Sequence, residues 1–301
     1  MAQVVKIKDY ISRYETNIYH YPGQFIRLKK ENWNKALEAW ELQDVHEMEL
    51  EHTNKKETIL SKWKRLFTKV EEKPPAFEEQ VLHKLPESKQ QLKHEFLDTL
   101  MRFQLKWAST TVSDMSIVDQ GYEDDQSLKY FLQRFPDTYL LYYYPIFNLK
   151  NAPIEAEILF VSPIGMDIIH LIDFNSKEIE IMADDGRTWN LKEGNEMNRM
   201  LSPMISLKRT EQVIKRVLNT HHLDFPITKV VLSPNHRLRF QAEPFRTKFI
   251  GLEQHDEWLS EKRGLVSPLK HQQLKVCEVL LKYCQTSAVK RPEWEDETYP
   301  L

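Results

Sequence analysis

Glycine is scarce: the chain has 7 in 301 residues, and Gly23 alone falls within the first 120. No Gly-rich phosphate loop appears. Cysteine is scarcer still. Cys277 and Cys284 cannot build a disulfide framework, and their spacing along a helix of about 10 Å is too long to bridge. A reducing, cytoplasmic compartment fits. No apolar run approaches the roughly 20 residues needed to cross a bilayer, so no membrane partner is expected. The opening MAQVVKIKDYISRYE has no signal-peptide pattern. Charge of one sign is also lacking: 42 Lys and Arg against 45 Asp and Glu leave a net charge of −3. That excludes a uniformly basic DNA-coating protein but leaves room for a local basic patch. A hydrophobic content of 41% with 11% aromatics supplies a real core, so global disorder is excluded.

The glycine-poor start reads as helices with polar outer faces. Residues 31–51 place Trp33, Leu37, Trp40 and Val45 on one face, and residues 55–70 place Ile59, Trp63, Leu66 and Val70 on another. Pro74-Pro75 breaks the chain. From Pro86 onwards Leu92, Phe96, Leu100, Phe103 and Trp107 recur every three or four residues, the clearest helix of the sequence. Residues 108–120 carry turn formers and read as a linker. The expected division is an all-helical N-terminal domain over 1–120, a mixed α/β domain over 121–262, and a C-terminal helix with an acidic tail over 263–301.

Within the second part, Leu128 to Phe135 suggest a short helix ended by Pro136. TYLLYYYPIF at 138–147 is strand-like. IEAEILFVS at 154–162 and GMDIIHLID at 165–173 flank a tight turn, KEIEIM at 177–182 follows, and Pro203 opens a helix to about 219. Strands at 227–233 and 247–250 and a helix over 268–285 complete the pattern. Helix, strand, hairpin, strand, helix, strand is the order of a PD-(D/E)XK nuclease core. Such a core sets one acid on a strand and an acid-x-lysine pair on the next, two residues apart and so on one strand face. The acids hold Mg²⁺ and the lysine steadies the attacking water or the developing charge.

Residues 121–260 resemble the nuclease-related domain (NERD) family. The resemblance rests on Asp125 in DDQSLKYFLQRFPD, E-A-E at 155–157, LFVSPIG at 159–165, MDIIHLID at 166–173, Trp189, S-P-M-I-S at 202–206 and FPITKVVLSPNHRLRF at 225–240. It implies a mixed-sheet nuclease-like fold with DNA as substrate class, and a site at Asp125, Glu157 and His170. Departures fall on the chemistry. Asp125 stands where Glu is usual and Glu157 where Asp is usual. His170 replaces the second acid, Ile172 the lysine and Ser206 the glutamine. Imidazole suits Mg²⁺ poorly and isoleucine cannot balance charge, so weak metal binding and poor stabilisation of a pentavalent phosphate are expected.

Plainer readings stand beside these. Glu157 reads equally as a polar strand end, His170 as a satisfied core histidine, and Asp125 as an acid favoured by a helix N-terminus. Asp167 and Asp173 fall on the opposite strand face and are expected to be solvated. HEMELEH at 46–52 is not a metal motif, because His46 and His52 lie on different helix faces.

A candidate nucleic-acid surface comprises Lys208, Arg209, Lys215 and Arg216 on the helix after Pro203, with His236, Arg237, Arg239, Arg246 and Lys248 on a following hairpin near Phe240 and Phe245. An ordinary solvated face is the alternative. The functional expectation is a degenerate nuclease-related protein that binds nucleic acid or a DNA-processing partner, with little or no cleavage and no resident cofactor. One rival is a working nuclease that uses Mg²⁺ or Mn²⁺ in the altered site. Another is a protein-interaction module acting through residues 1–120.

Overall fold

The computed structural model describes residues 1–49, 86, 88–149, 152–176 and 178–292, with side-chain detail excluded at 42–49. The helical reading of 55–70, the Pro74-Pro75 break, the side chain of Val45 and the acidic tail lie outside the described residues. The chain divides into two units, residues 1–22 with 101–301, and residues 23–100.

The first unit is α/β, built on a six-stranded mixed sheet in the order β1-β3-β6-β7-β11-β13. These strands are β1 (Gln3–Ile7), β3 (Leu140–Tyr143), β6 (Ile158–Ser162), β7 (Gly165–Leu171), β11 (Ile227–Leu232) and β13 (Thr247–Ile250). β3, β6 and β7 run antiparallel in succession, while β11 lies parallel to β7 and β13 parallel to β11. The central strands read ILFVS and ITKVVL, near-continuous apolar runs, because helices cover both faces. On one face lie α5 (Gln126–Arg134), α7 (His255–Gly264) and the end of α3 (Lys89–Trp107). Their Leu128, Phe131, Trp258, Leu259, Met101 and Leu105 join Ile158, Phe160, Ile169 and Val230 in a single core. On the other face, α6 (Pro203–Thr220) packs against β7 and β11, and α8 (His271–Tyr283) against β6.

Two expected boundaries are corrected. Residues 1–120 are not all helical: β1 pairs parallel with β3 and all five of its residues are buried, so this short β-rich run belongs to the α/β sheet. Residues 108–120 are not a linker. Ser109, Thr111 and Ser116 are buried, and β2 (Asp114–Met115) pairs with β14 (Val289–Lys290). The last helix packs on the α/β unit: Val276, Cys277 and Leu280 are fully buried and Gln273 donates to the carbonyls of Thr138 and Val161. Both cysteines are free.

A second sheet, β10-β9-β8-β12, follows β7 in the chain. It comprises β8 (Ile179–Met182), β9 (Thr188–Glu193), β10 (Glu196–Leu201) and β12 (Arg237–Arg239). Trp189 anchors it, fully buried against Phe249. The other unit, residues 23–100, holds most of α2 (Tyr21–Glu49) and the start of α3. Within it, the rings of Trp33 and Phe96 lie 5.2 Å apart, and the Trp40 indole donates to the Pro86 carbonyl.

Asp167 corrects a further expectation. It is buried, not solvated, and pairs with Lys262 from α7 at 2.5 Å. Burial pushes its carboxyl pKa up against the opposing pull of Lys262. Removing one partner of a buried pair leaves an uncompensated charge. Lys262→Met should therefore lower stability by about 3–5 kcal/mol, and adding Asp167→Asn should recover most of that in urea denaturation.

Candidate functional site

The β6–β7 hairpin closes through the two residues Pro163 and Ile164, with Ser162 opposite Gly165 and Ile158 opposite Ile169. This register carries Glu157, just before β6, to His170 near the end of β7. The Glu157 Oε1 to His170 Nδ1 distance is 3.0 Å. α6 approaches the same face. Its Ser206 Oγ lies 3.2 Å from His170 Nδ1 and donates to the Pro203 carbonyl, while Thr210 Oγ1 accepts from the Glu157 amide. Burial works against ionising Glu157, but the hydrogen bond and charge of His170 and the charge of Arg209 outweigh it, so its pKa is lowered. An ionised carboxylate only accepts, so Nδ1 carries the proton that bridges the pair.

Asp125 is placed differently. It is the N-cap of α5, where Oδ1 accepts from the amides of Ser127 and Leu128. Its Oδ2 accepts from the Tyr143 hydroxyl at 2.8 Å. Tyr144, the next residue, has a left-handed φ of 48°. Burial first, then the nearby carboxylates of Glu157 and Asp125, push its phenol up to about 12. The two acids thus act on a common neighbour, but among the described residues no three His, Cys, Asp or Glu side chains are grouped to hold a metal. Ile172 lies just past the end of β7 and is buried, its amide bonded to the Leu232 carbonyl. This donor set does not fit Mg²⁺: one carboxylate caps a helix, the other accepts from an imidazole, and among the described residues no lysine ion pair reaches either.

The cations separate into two classes. On β12 and near β13 they meet carboxylates. Arg239 pairs with Glu180 at 2.7 Å and Glu253 at 3.6 Å, Arg237 with Glu253 at 3.8 Å, and Lys248 with Glu243 at 3.4 Å. Arg246 lies over the Phe245 ring. His236 is fully buried between Ser233 and the Ser176 carbonyl. Nor do these residues form one hairpin, since β12 pairs with β8 and β13 with β11. On α6, Lys215 pairs with Glu211, which also holds Lys229. Lys208, Arg209 and Arg216 are exposed, with no carboxylate ion pair among the described residues.

Tyr143, Tyr144 and Thr210 were not singled out by the sequence. The run of tyrosines ahead of Pro145 was the available signal, a strand end rich in hydroxyls.

No family model matches the chain, and no solved structure matches it. A curated RNA 2',3'-cyclic phosphodiesterase of Geobacillus stearothermophilus is 34% identical over 113 residues, covering 35% of this chain and 36% of that protein. The chain therefore spans about a third of the length of that relative.

A lowered carboxylate pKa stabilises the fold fully above the ordinary value of 4.5 and ceases to do so as pH falls through the folded value. Glu157→Gln should therefore flatten the acid limb of the stability curve relative to the parent chain. The readout is the urea midpoint followed from pH 6 to 3.

Proposed function

We propose that this chain works on or alongside nucleic acid through a PD-(D/E)XK-type core of the nuclease-related domain kind, with metal-dependent cleavage lost or much reduced. The order α5, β3, β6, β7, α6, β11, with three antiparallel strands and a fourth parallel to the third, supports the core assignment. The observation that carries the functional reading is the Glu157–His170 contact at 3.0 Å. It sits where that core would gather its metal carboxylates, yet it is closed upon itself. The name of the curated relative supports a nucleic-acid substrate class. Lys208, Arg209, Arg216 and, beside β13, Arg246 are the candidate cations with no carboxylate ion pair among the described residues, whereas Arg237, Arg239, Lys215 and Lys248 already face one.

Fluorescence anisotropy with single-stranded RNA and DNA across a salt series tests this. Lys208→Glu with Arg216→Glu should weaken binding about tenfold or more and reduce the salt slope by about two. Arg237→Ala should change affinity by less than about twofold, since its charge is already opposed. Incubation with plasmid under Mg²⁺ or Mn²⁺ should leave the DNA intact. Metal-dependent cleavage that disappears in Glu157→Ala would overturn the degenerate reading.

A further inference from the structure

Phe245, in the turn that leads into β13, is 84% exposed, more than any other Phe, Tyr or Trp among the described residues. A single exposed apolar residue needs no explanation by itself. Three observations set this one apart. The backbone that carries it is held in place. The Thr247 amide donates to the Pro244 carbonyl, the Thr247 hydroxyl to the Phe245 carbonyl, and the Lys229 amide of β11 to the Arg246 carbonyl. Arg246 adopts a left-handed φ of 51°, which costs energy for a residue with a Cβ and is the kind of strain that clusters at functional sites. The Arg246 guanidinium lies over the Phe245 ring, 5.3 Å from its centroid, with no carboxylate ion pair and no side-chain hydrogen bond among the described residues. The acid of this turn, Glu243, is already engaged: it accepts from the Phe249 amide and pairs with Lys248.

An exposed ring beside an unopposed guanidinium matches a nucleobase flanked by phosphates. Every base has a π-face to lay on the ring, and the guanidinium keeps its N–H donors for phosphate oxygens. A duplex offers free base faces only at its ends, because its bases already stack on one another. A strand of unpaired bases offers them throughout. β11 ties the turn to the cations of α6. Lys229, whose amide holds the turn, pairs through its ammonium with Glu211 of α6. Lys208 lies three residues before Glu211 and shares its helix face, exposed and with no carboxylate ion pair among the described residues.

We propose that Phe245 and Arg246 form a stacking platform for single-stranded nucleic acid. Phe245 takes the face of one unpaired base, Arg246 takes a flanking phosphate, and the cations of α6 take the continuing backbone. The proposal rests on the nucleic-acid reading given above and narrows it from nucleic acid in general to unpaired strands.

The test is fluorescence anisotropy of the full chain with labelled oligo(U) and oligo(dT), and with a labelled duplex of the same length, across a salt series. The parent chain should prefer the single strands. Phe245→Ala should weaken single-strand binding about five- to a hundredfold, the loss of one stacked base, with the salt slope unchanged and duplex affinity within about twofold. Phe245→Trp should keep the affinity and add an indole emission that the bound strand quenches. Arg246→Ala should reduce the salt slope by about 0.7, one phosphate contact on a single strand. Both side chains are exposed, so the variants should unfold at the parent temperature, which thermal melts verify. Single-strand affinity indifferent to Phe245, or an equal loss for duplex and single strand, overturns the platform. So does loss of self-association in Phe245→Ala with oligonucleotide affinity intact, which assigns the ring to a protein contact. Lys208→Glu with Arg216→Glu is measured beside these. If it weakens binding and Phe245→Ala does not, the platform falls alone. If the parent chain binds no oligonucleotide, the nucleic-acid reading falls with it.

Discussion

The turn at Pro163-Ile164 governs what the rest of the sheet is able to do. Ser162 locks it, its hydroxyl accepting from the amides of Ile164 and Gly165 and donating to the Gly165 carbonyl. Because side chains alternate along a strand, the register it sets decides which face receives every residue of β6 and β7. His170 goes to the α6 face, where Glu157 meets it. Asp167 goes to the opposite face, where Lys262 meets it. A slip of one residue would exchange the two faces and leave both charges buried without partners. Close approach adds to the constraint. A Cβ on Gly165 would come within 3.2 Å of the Pro226 carbonyl oxygen at the start of β11, so the hairpin and the neighbouring parallel strand are fitted together at a glycine.

Those two acids show how environment moves two buried carboxylates in opposite directions. Both are buried, and burial alone raises a carboxyl pKa. Asp167 receives one ammonium and its pKa remains raised. Glu157 receives a hydrogen bond from an imidazole together with the charge of a nearby guanidinium, and its pKa falls below the ordinary value. The first is an ion pair under a helix. The second is an anion held by a hydrogen bond from the facing strand of the same hairpin.

Much of this was legible in the residues, and the rest was hidden for identifiable reasons. α5, the β6–β7 hairpin, α6, β11 and β13 carry strong periodicity or continuous apolar runs, and the structure has them within a few residues of the expected spans. The approach of Glu157, His170 and Ser206 was legible as motif order. β1 was not, because five residues in a glycine-poor, charged stretch are too few to change the apparent period. β9 and β10 were missed because most of their side chains are exposed and polar, with Trp189 the one fully buried anchor. α7 offers only His255, Trp258 and Leu259 to the interior, too sparse a stripe to announce a helix. Missing α7 also meant missing Lys262, and without that partner Asp167 could only be read as solvated.

Charge placement explains why the expected basic surface contracts. A chain with 42 cations and 45 anions will oppose most of its arginines and lysines locally, whatever their spacing suggests. On β12 the partners come from β8 and from the segment before α7, elements distant in sequence, so a local count cannot anticipate them. What remains unopposed on the first half of α6 is Lys208 and Arg209, within one turn of Ser206. Arg209, three residues on from Ser206, shares its helix face, so the helix dipole and this guanidinium act on the same region of solvent. An anion there gains from both, whereas on β12 it would first have to displace a carboxylate. On the proposed reading, nucleic-acid binding belongs to α6 and the turn before β13, and the β12 arginines serve to hold the second sheet.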